Sequence, residues 1–407
     1  MVRPAGGAMN GPRSATPAPV AALDATAETP RLITGREELA AACRRWRRQP
    51  AIGVDTEFVR QRTFFPALGL IQIATGADVT LIDPLAVRDL TPLGELLGDQ
   101  RVVKVFHACS EDLEVLYHRF DALPEPLFDT QLAAAFAGYG YSLGYAALVA
   151  RIFGDELPKG ETRTDWLARP LAPEQLRYAA LDAAYLPALH RRLAAELEDR
   201  GMRAWLEEEM TELARVERFL PPPQEIYRRI KGAGRLDGRQ RAALRRLAAW
   251  RERTARELDL PRGFVLRDDV LLALAEARPL DRRQLARIPG LHPRQRRRYG
   301  DQLLRELRAA GADPPLARAD RPSLAGHRQA IKELQALVAS TAERLDLPAE
   351  LLASRKVVQE LVGRVLRGAR PALPRALRGW RRQAIGEALE GRCRELLAAA
   401  IERDADR

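Results

Sequence analysis

The sequence predicts an α/β domain followed by two small all-α domains. Over the first half, short apolar runs typical of buried strands alternate with stretches of helical periodicity, which favours an α/β layer fold. After the prolines at positions 221–223 the pattern is helical throughout. The 407 residues, of which 46% are hydrophobic, are enough for two or three domains with separate cores.

The elements of the first half follow from the apolar pattern in chain order. We expect a short helix over 31–48, strands over 51–55, 68–74 and 79–82, a helical segment over 90–98, a strand over Val102–Phe106 and a helix over Ser110–Phe120 with Ser110 as its N-cap. From 127 to 210 the pattern is nearly all helical, with interruptions at Gly138–Gly140 and Pro158–Gly160.

The second half divides into two helical blocks. The first contains the predicted helices Arg239–Leu258, Asp268–Ala277, Asp281–Ile288 and Pro293–Arg308. Leu-Asp-Leu-Pro at 258–261 recurs at 345–348, each time between a helical segment and an apolar helix, which indicates a duplicated helical module. The predicted divisions are a disordered extension over 1–30, an α/β domain over 31–215, a linker over 216–235, a first helical domain over 236–310, a linker over 311–323 and a second helical domain over 324–407.

Composition and motifs argue against several classes of protein. Cys43, Cys109 and Cys393 lie far apart and form no CxxC pair, which argues against a disulfide framework or a zinc site and favours the reducing cytoplasm. No uncharged apolar stretch reaches about 18 residues, so a membrane-spanning helix is not expected. The absence of a P-loop and of a suitably placed GxGxxG argues against an ATP-driven helicase and a dinucleotide enzyme.

The charge of the chain is unevenly distributed. Its net charge of +11 combines a net charge of −6 over residues 1–210, from 23 basic and 29 acidic residues, with +17 over residues 211–407. A basic half beside an acidic one suggests that the basic half attracts a polyanionic substrate and the acidic half acts on it. The alternative explanation for the positive charge is a genome that favours arginine, with the arginines spread over solvated helix faces.

Two pairs of polar residues are spaced so that each pair shares one face of an element. Residues 51–54 read as a buried strand that Asp55 and Glu57 end, and a strand directs residues two apart to the same face. Tyr178 and Asp182 are four apart in a helical run, so they share a helix face. Both pairs are therefore candidates for a single site.

Asp112, which follows the strand Val102–Phe106, completes a set of four carboxylates. Four such groups brought together cannot stay ionised in a protein interior without cations. Two divalent metal ions would neutralise them, and oxygen ligands favour Mg²⁺ or Mn²⁺. The short side chain of Asp55 suits a ligand shared by both ions, whereas Glu57 reaches further and would bind one of them.

Each of these residues also has a simpler interpretation. An acid at the position of Asp112 could stabilise the start of a helix, and Glu111 and Glu114 compete for its role. Tyr178 could be a half-buried core aromatic; as a functional group it suits orienting a water, because a free phenol with a pKa of about 10 is a poor base at neutral pH. His107 could be a base, or it could pack at a strand end.

Three motifs, read together, resemble those of the DEDD superfamily of 3′→5′ exonucleases in its tyrosine-bearing branch, and ribonuclease D in particular. The motifs are VDTEF, HACSEDL and YAALDAAYL, and the segments TFFPALGLIQIA, FDTQLAAAF, YSLGYAAL and ETRTDWLARPL are also similar. GFVLRDDVLLALA resembles the HRDC helical domain, and the block with LLASRKVVQELV resembles the second such domain of bacterial ribonuclease D. The resemblance covers about residues 31–400, and the proline- and alanine-rich start of the chain has no counterpart in it.

The resemblance implies a ribonuclease H-like mixed sheet with helices on both sides. It implies that Asp55, Glu57, Asp112 and Asp182 bind two divalent metal ions and that Tyr178 acts on the attacking water. The expected activity is removal of nucleotides one at a time from RNA 3′ ends with release of 5′-monophosphates. The expected substrates are tRNA precursors and other small structured RNAs, and the expected enzyme is a cytoplasmic monomer with no nucleotide cofactor.

Further residues are predicted to contact the RNA. The candidates are Phe64, Phe65 and Leu68 at the terminal base, Arg294, Arg296, Arg297 and Arg298 in the first helical domain, and Arg378, Trp380, Arg381 and Arg382 in the second. The aromatic residues could equally belong to the core, and the arginines to solvated faces. A 3′→5′ DNA exonuclease and a non-catalytic nucleic-acid-binding protein remain as alternative functions, because contacts to the 2′-OH leave no sequence motif.

Overall fold

The computed structural model describes residues 30–76, 78–158, 164–317, 324–370 and 372–405, and the side chains up to residue 399. The predicted disordered extension lies outside the described residues except for Pro30. Among the helices of the described part, none is both long and apolar enough to cross a membrane.

The first domain is built on a six-stranded mixed sheet. Its elements are β1 (Arg31–Ile33), α1 (Arg36–Trp46), β2 (Ala51–Val59), β3 (Ala67–Thr75), β4 (Asp78–Ile82), α2 (Thr91–Leu97), β5 (Val103–Phe106), α3 (Ser110–Phe120), β6 (Leu127–Asp129), α4 (Thr130–Phe136), α5 (Tyr145–Phe153), α6 (Pro173–Ala184), α7 (Leu186–Asp199) and α8 (Arg203–Leu213). The strand order is β1-β4-β3-β2-β5-β6. The β2–β3 and β3–β4 pairs are antiparallel, and the other three pairs are parallel.

Helices cover both faces of this sheet, as predicted. On one face, α6 contacts β2, β3 and β4. Gly53 lies on that same face, and a Cβ at Gly53 would be 2.7 Å from Cβ of Leu186, so glycine there lets the start of α7 approach the sheet closely. On the other face, α3 approaches β2 through a hydrogen bond between Thr56 and Asp112.

Several predicted boundaries are wrong. The strand predicted over 51–55 continues to Val59, so Asp55 and Glu57 lie inside β2 rather than at its end. The first and last strands, β1 and β6, fall in segments predicted as helical; each has only three residues and depends on pairing with a neighbouring strand. The N-cap of α3 is Cys109, and Ser110 is the first helical residue.

The second half forms two helical modules. The first helical module contains α9 (Gly238–Glu257), α10 (Arg262–Val265), α11 (Asp268–Ala277), α12 (Arg282–Leu285) and α13 (Pro293–Ala312). The second helical module contains α14 (Arg328–Leu345), α15 (Ala349–Leu352), α16 (Arg355–Leu366) and α17 (Glu387–Ala405). Short 3₁₀ turns at Val216–Arg218, Pro223–Arg229 and Ala233–Arg235 connect the first domain to the first module. The helix predicted over Asp281–Ile288 is limited to α12.

The repeated Leu-Asp-Leu-Pro turn docks each module on the first domain. Asp259 and Asp346 both adopt the left-handed conformation, with φ of 47° and 51°. Asp259 Oδ1 accepts hydrogen bonds from the backbone N–H groups of Phe64 and Phe65, both at 3.0 Å. Asp346 Oδ2 accepts a hydrogen bond from Nη1 of Arg200 at 2.9 Å. The same turn therefore contacts the first domain at two different places.

Candidate active site

Strand β2 and helix α6 bring three of the predicted carboxylates together. Oxygen atoms of Asp55, Glu57 and Asp182 all lie within 4.8 Å of one another. Asp55 and Glu57 project from one face of β2, and Asp182 approaches from α6, which packs across that face. The β2–β3 register shifts between Glu57 and Phe58, directly after the second carboxylate. A bulge of this kind changes the direction of the strand beside a site.

Tyr178 lies one turn before Asp182 on α6, and its hydroxyl is near the Asp182 carboxylate. Burial, followed by the negative charge of Asp182, raises the pKa of the Tyr178 phenol above its ordinary value of 10. The phenol therefore stays protonated at neutral pH and can donate a hydrogen bond, but it cannot act as a base. Its ring faces Trp166, with ring centroids 6.5 Å apart and planes 25° from parallel.

Asp112 is close to this cluster but is not one of the three grouped carboxylates. It is buried in the first turn of α3, where its Oδ1 accepts a short hydrogen bond from the Thr56 hydroxyl. The competing acids of the same helix are engaged elsewhere or exposed: Glu114 pairs with Arg60 at 2.7 Å, and Glu111 faces solvent. Asp112 is thus the acid of this helix that points inward.

The electrostatics of the cluster disfavour four ionised groups. Burial, and then the charges of Asp112, Asp182 and Glu57, hold the pKa of Asp55 well above its usual range. Burial, and then the charges of Asp182 and Asp112, raises the pKa of Glu57 to about 8. Burial also raises the pKa values of Asp112 and Asp182 to about 6 each, although hydrogen bonds from Thr56 and Tyr178 oppose the rise.

The donor set fits hard divalent cations. It consists of carboxylate oxygens, and no histidine or cysteine joins the group among the described residues. Carboxylate oxygens suit Mg²⁺ and Mn²⁺, whereas zinc sites usually include nitrogen or sulfur ligands. Cations bound there would offset the repulsion that raises the four pKa values.

His107 does not face this cluster as a free base. Its Nδ1 lies 2.9 Å from Thr130 Oγ1, and its Nε2 lies 3.0 Å from the carbonyl oxygen of Leu143, to which it donates. Burial lowers the pKa of His107 below its ordinary value. Both ring nitrogens are engaged, so the structure favours the alternative in which this histidine packs at the end of β5.

Of the three residues predicted to contact the terminal base of the RNA, two are buried and one is half-buried. Phe64 is 8% exposed and packs in the core of the first helical module, with the Arg262 guanidinium 4.7 Å from its ring centroid. Leu68 is also buried. Phe65 is half-buried and stacks on His118, with centroids 3.9 Å apart. The structure contradicts base stacking by Phe64 and shows that it is a core residue.

The predicted aromatic contact in the second module is also contradicted. Trp380 is 3% exposed and stacks on Trp205, with ring centroids 4.7 Å apart. Its indole Nε1 donates to Glu209, and Arg381 pairs with the same carboxylate. Trp380 and Arg381 therefore hold the second module against α8. The pattern alone does not separate the two roles, because an aromatic residue among arginines occurs both in RNA-binding surfaces and in domain interfaces.

The remaining predicted arginines lie on surfaces. Arg294, Arg297 and Arg298 of α13 are exposed, and Arg296 is half-buried with a hydrogen bond to the carbonyl oxygen of Ala286. Arg378 is exposed, and Arg382 is exposed but paired with Glu387 at 2.9 Å. Among the described residues, the exposed arginines of α13 and Arg378 have no ion-pair partner.

Sequence reasoning missed several residues that support the site. Thr56 lies between two predicted ligands, but strand alternation directs it to the opposite face, so its bond to Asp112 was not expected. Gln72 lies directly opposite Asp55 in the β2–β3 register and is fully buried. Neither its Nε2 nor its Oε1 has a hydrogen-bond partner among the described residues. The only sequence signal for Gln72 was a polar residue within an apolar strand.

Three family models match the chain. A model described as a 3′-5′ exonuclease matches residues 30–198, a model of the HRDC domain matches residues 240–307, and a model of the ribonuclease D C-terminal HRDC domain matches residues 325–389. The three matches follow the order of the first domain and the two helical modules.

Relatives match over almost the whole chain. Ribonuclease D of Pseudomonas paraeruginosa is 45% identical over 355 residues, which cover 86% of this chain and 94% of that protein. Ribonuclease D of Escherichia coli is 39% identical over 89% of this chain and 98% of its own length. The crystal structure of Escherichia coli RNase D, described as an exoribonuclease involved in structured RNA processing, superposes with a TM-score of 0.80 and 38% identity over 90% of this chain and 99% of that one.

Proposed function

The chain belongs to the ribonuclease D family of 3′→5′ exoribonucleases, and we propose that its catalytic centre is the cluster of Asp55, Glu57 and Asp182 completed by Asp112. The chain is thus a hydrolase that acts on the phosphodiester bonds of RNA. The observation that carries the placement of its centre is the approach of three carboxylates within 4.8 Å at the junction of β2 and α6.

Each residue of the centre has a role that follows from its position. Asp55 is short and buried, and the charges of the other three carboxylates all act on it, which favours it as the ligand shared by two cations. Glu57, Asp112 and Asp182 would complete the set of cation ligands. Bound Mg²⁺ or Mn²⁺ would acidify the attacking water and neutralise charge on the departing 3′-oxygen. The Tyr178 hydroxyl, close to Asp182, would orient that water as a hydrogen-bond donor or acceptor.

The proposed substrate is the 3′ end of a tRNA precursor or of another small structured RNA. The proposed products are nucleoside 5′-monophosphates, released one at a time. Membership of the family and the exposed arginines of α13 support this assignment. The free and buried cysteines support a reducing compartment, and we propose a cytoplasmic monomer that needs no nucleotide cofactor.

We also propose the domain limits 31–215, 236–310 and 324–407, with an N-terminal extension and two linkers. The limits of α8, α9, α13 and α14 support this division. The first linker contains three 3₁₀ turns, so it is an ordered connection rather than a flexible one.

The experiment that tests the function follows one labelled strand. A short 5′-labelled single-stranded RNA and a DNA of the same sequence are incubated with wild-type protein and with Asp55→Ala, in Mg²⁺, Mn²⁺ or EDTA. We expect a ladder that shortens from the 3′ end on RNA, requires the cation and is absent with Asp55→Ala.

The other outcomes of this experiment are equally informative. A ladder on DNA alone would replace the RNA substrate by DNA. Full activity of a folded Asp55→Ala variant would refute the proposed centre. RNA binding without cleavage by the wild-type protein would favour a non-catalytic binding protein.

A further inference from the structure

Helices α6 and α7 are separated by the single residue Tyr185. Pro187, the second residue of α7, has no N–H to donate, and in a continuous helix its ring would clash with the carbonyl group of Ala183. The sequence therefore breaks the helix immediately after the segment that carries Tyr178 and Asp182. A break of this kind frees backbone hydrogen-bonding groups that need other partners.

The hydroxyl group of Tyr145 occupies this break. It donates to the carbonyl oxygen of Leu181 at 3.1 Å and accepts from the backbone N–H of Tyr185 at 2.9 Å. In an unbroken α-helix the N–H of Tyr185 would donate to that same carbonyl oxygen. The phenol is thus inserted into one backbone hydrogen bond of the helix, which is a recognised cause of helix kinks. The N–H of Tyr185 also faces the carbonyl oxygen of Ala183.

The insertion lies next to the metal ligands. Leu181 directly precedes Asp182, so the hydroxyl is bonded to the peptide group that links the two residues. Burial raises the pKa of Tyr145 well above its ordinary value, and the charges of Asp182 and Asp55 add to the rise. Both carboxylates are therefore close enough for their charge to act on this phenol.

Tyr145 is itself tied to the sheet. It is the first residue of α5, and it follows a loop whose Leu143 carbonyl oxygen accepts from His107 Nε2 at 3.0 Å and from Gln131 Nε2 at 2.9 Å. His107 follows the last residue of β5, and its ring packs edge-on against the Tyr145 ring with centroids 5.6 Å apart. The position of the hydroxyl is consequently fixed by the sheet rather than by α6.

We propose that Tyr145 is a positioning residue that fixes the end of α6 and thereby places Asp182 opposite Asp55 and Glu57. Its hydroxyl connects the sheet, which carries two ligands, to the helix that carries the third. Without it, nothing bridges the carbonyl oxygen of Leu181 and the N–H of Tyr185, and Asp182 loses its fixed distance from β2. This inference rests on the proposed cation-dependent hydrolysis.

The test compares two matched substitutions in the full-length protein. Tyr145→Phe removes the inserted hydroxyl and keeps the ring. Tyr185→Phe is the control: it also removes a phenol hydroxyl at the same junction, but that hydroxyl donates to Asp155 at 2.8 Å instead of to the backbone of α6. Mn²⁺ affinity is measured by titration calorimetry, and amide hydrogen exchange over residues 181–188 is measured without any metal.

For Tyr145→Phe we expect Mn²⁺ affinity to fall by about 10- to 100-fold, the usual effect of losing a group that orients a metal ligand. We also expect faster exchange over residues 181–188 in the metal-free protein, because the helix end no longer has its side-chain partner. Tyr185→Phe should retain wild-type affinity. Wild-type Mn²⁺ affinity in Tyr145→Phe, or an equal loss in Tyr185→Phe, would overturn the inference.

Two further measurements distinguish a failure of this inference from a failure of the proposed function. Asp182→Asn must abolish the Mn²⁺ titration; if the wild-type protein itself binds no Mn²⁺, the proposed function fails and not this inference alone. If Tyr145→Phe does not fold, the comparison is made in a Pro187→Ala background, where the restored N–H gives the Ala183 carbonyl a partner. Folding and Mn²⁺ binding should return there, because a closed helix no longer needs the inserted hydroxyl, and a double variant that stays unfolded would refute the role of Tyr145.

Discussion

The Glu57 carboxyl illustrates how the active centre opposes its own ionisation. Burial and two neighbouring carboxylates raise its pKa to about 8, so in the metal-free enzyme it holds a proton at neutral pH. A raised pKa means that the folded state binds the proton more tightly than the unfolded state does. Cation binding by Glu57 in the proposed centre would require that this proton leave, which would couple cation affinity to pH.

The first prediction concerns this coupling. Because the pKa of Glu57 rises from an ordinary 4.5 to about 8, the metal-free protein should lose stability as pH increases from about 4.5 to 8. Mn²⁺ affinity should increase over the same interval with release of protons. Thermal unfolding and calorimetry at several pH values measure both, and Glu57→Gln should reduce the pH dependence of stability between about 6 and 8, to which Asp55 also contributes. A wild-type pH profile in Glu57→Gln would contradict the assignment.

The second prediction concerns Gln72, whose buried carboxamide has no partner among the described residues. An unpaired buried polar group costs about 1–3 kcal/mol. Gln72→Met should therefore increase the free energy of unfolding of the metal-free protein by about 1 kcal/mol, measured by urea denaturation. Leu70→Met is the control, since Leu70 lies on the same face of β3 opposite Glu57 and has no polar group to relieve. Equal effects of the two substitutions would show that the amide carries no penalty.

At the scale of elements, the segment before α6 is fixed to the sheet by Arg169. Its guanidinium donates to both oxygens of Asp83, at 2.7 and 2.8 Å, and to the carbonyl oxygens of Gly69 and Trp166. A Cβ at Gly69 would lie 2.6 Å from the carbonyl oxygen of Trp166, so the segment rests directly on β3. Trp166 in turn faces the ring of Tyr178, which connects this segment to the active centre.

The third prediction tests that connection. Lysine cannot reproduce the planar, two-pronged bond to Asp83, so Arg169→Lys should destabilise the fold by about 1–3 kcal/mol. It should also lower kcat on a short RNA, because Trp166 is then held less firmly against the ring of Tyr178. Arg177→Lys is the control, as this half-buried arginine on α6 has Glu174 as its one ion-pair partner among the described residues. Stability is measured by urea denaturation and kcat by steady-state kinetics. If the two variants have the same stability and the same kcat, the segment before α6 has no role in the active centre.

At the scale of the whole molecule, the helical modules are parts of one packed structure. Phe64 of the first domain lies in the core of the first module, and Trp380 of the second module packs on Trp205 of the first domain. Arg375 adds a pair with Glu212 at 2.7 Å. Removal of residues 225–407 would therefore expose apolar surface as well as remove positive charge, so a deletion cannot isolate the contribution of the modules to RNA binding.

The fourth prediction uses charge reversal instead. Changing Arg294, Arg297 and Arg298 to glutamate should weaken RNA binding and reduce the slope of log affinity against log salt by about 0.7–0.9 for each RNA phosphate that the variant no longer neutralises. The control reverses Arg203, Arg392 and Arg394, which are also exposed but pair with glutamates and are not predicted to contact RNA. The two variants have the same net charge. An equal loss of affinity in both would indicate a general effect of net charge rather than a binding surface on α13.

The family, the order of the domains and the grouping of Asp55 and Glu57 with Asp182 were predictable from the sequence. VDTEF, HACSEDL and YAALDAAYL contain the groups in question, and the periodicity of 2 and 3.6 residues places Asp55 with Glu57 and Tyr178 with Asp182. Local spacing suffices there because both members of each pair lie on one element. Trp380 shows the limit of such reasoning, since an aromatic residue beside arginines looks alike in an RNA-binding surface and in a domain interface.

What the sequence by itself determined is therefore the set of chemical groups and the elements that carry them. Only the tertiary structure decided their partners: Thr56 for Asp112, Trp205 for Trp380, and the Tyr145 hydroxyl for the broken end of α6. The reason is that hydrogen bonds and packing between residues far apart in the chain depend on sheet order and helix placement. Those are set by burial summed over whole elements, and no local pattern of residues records them.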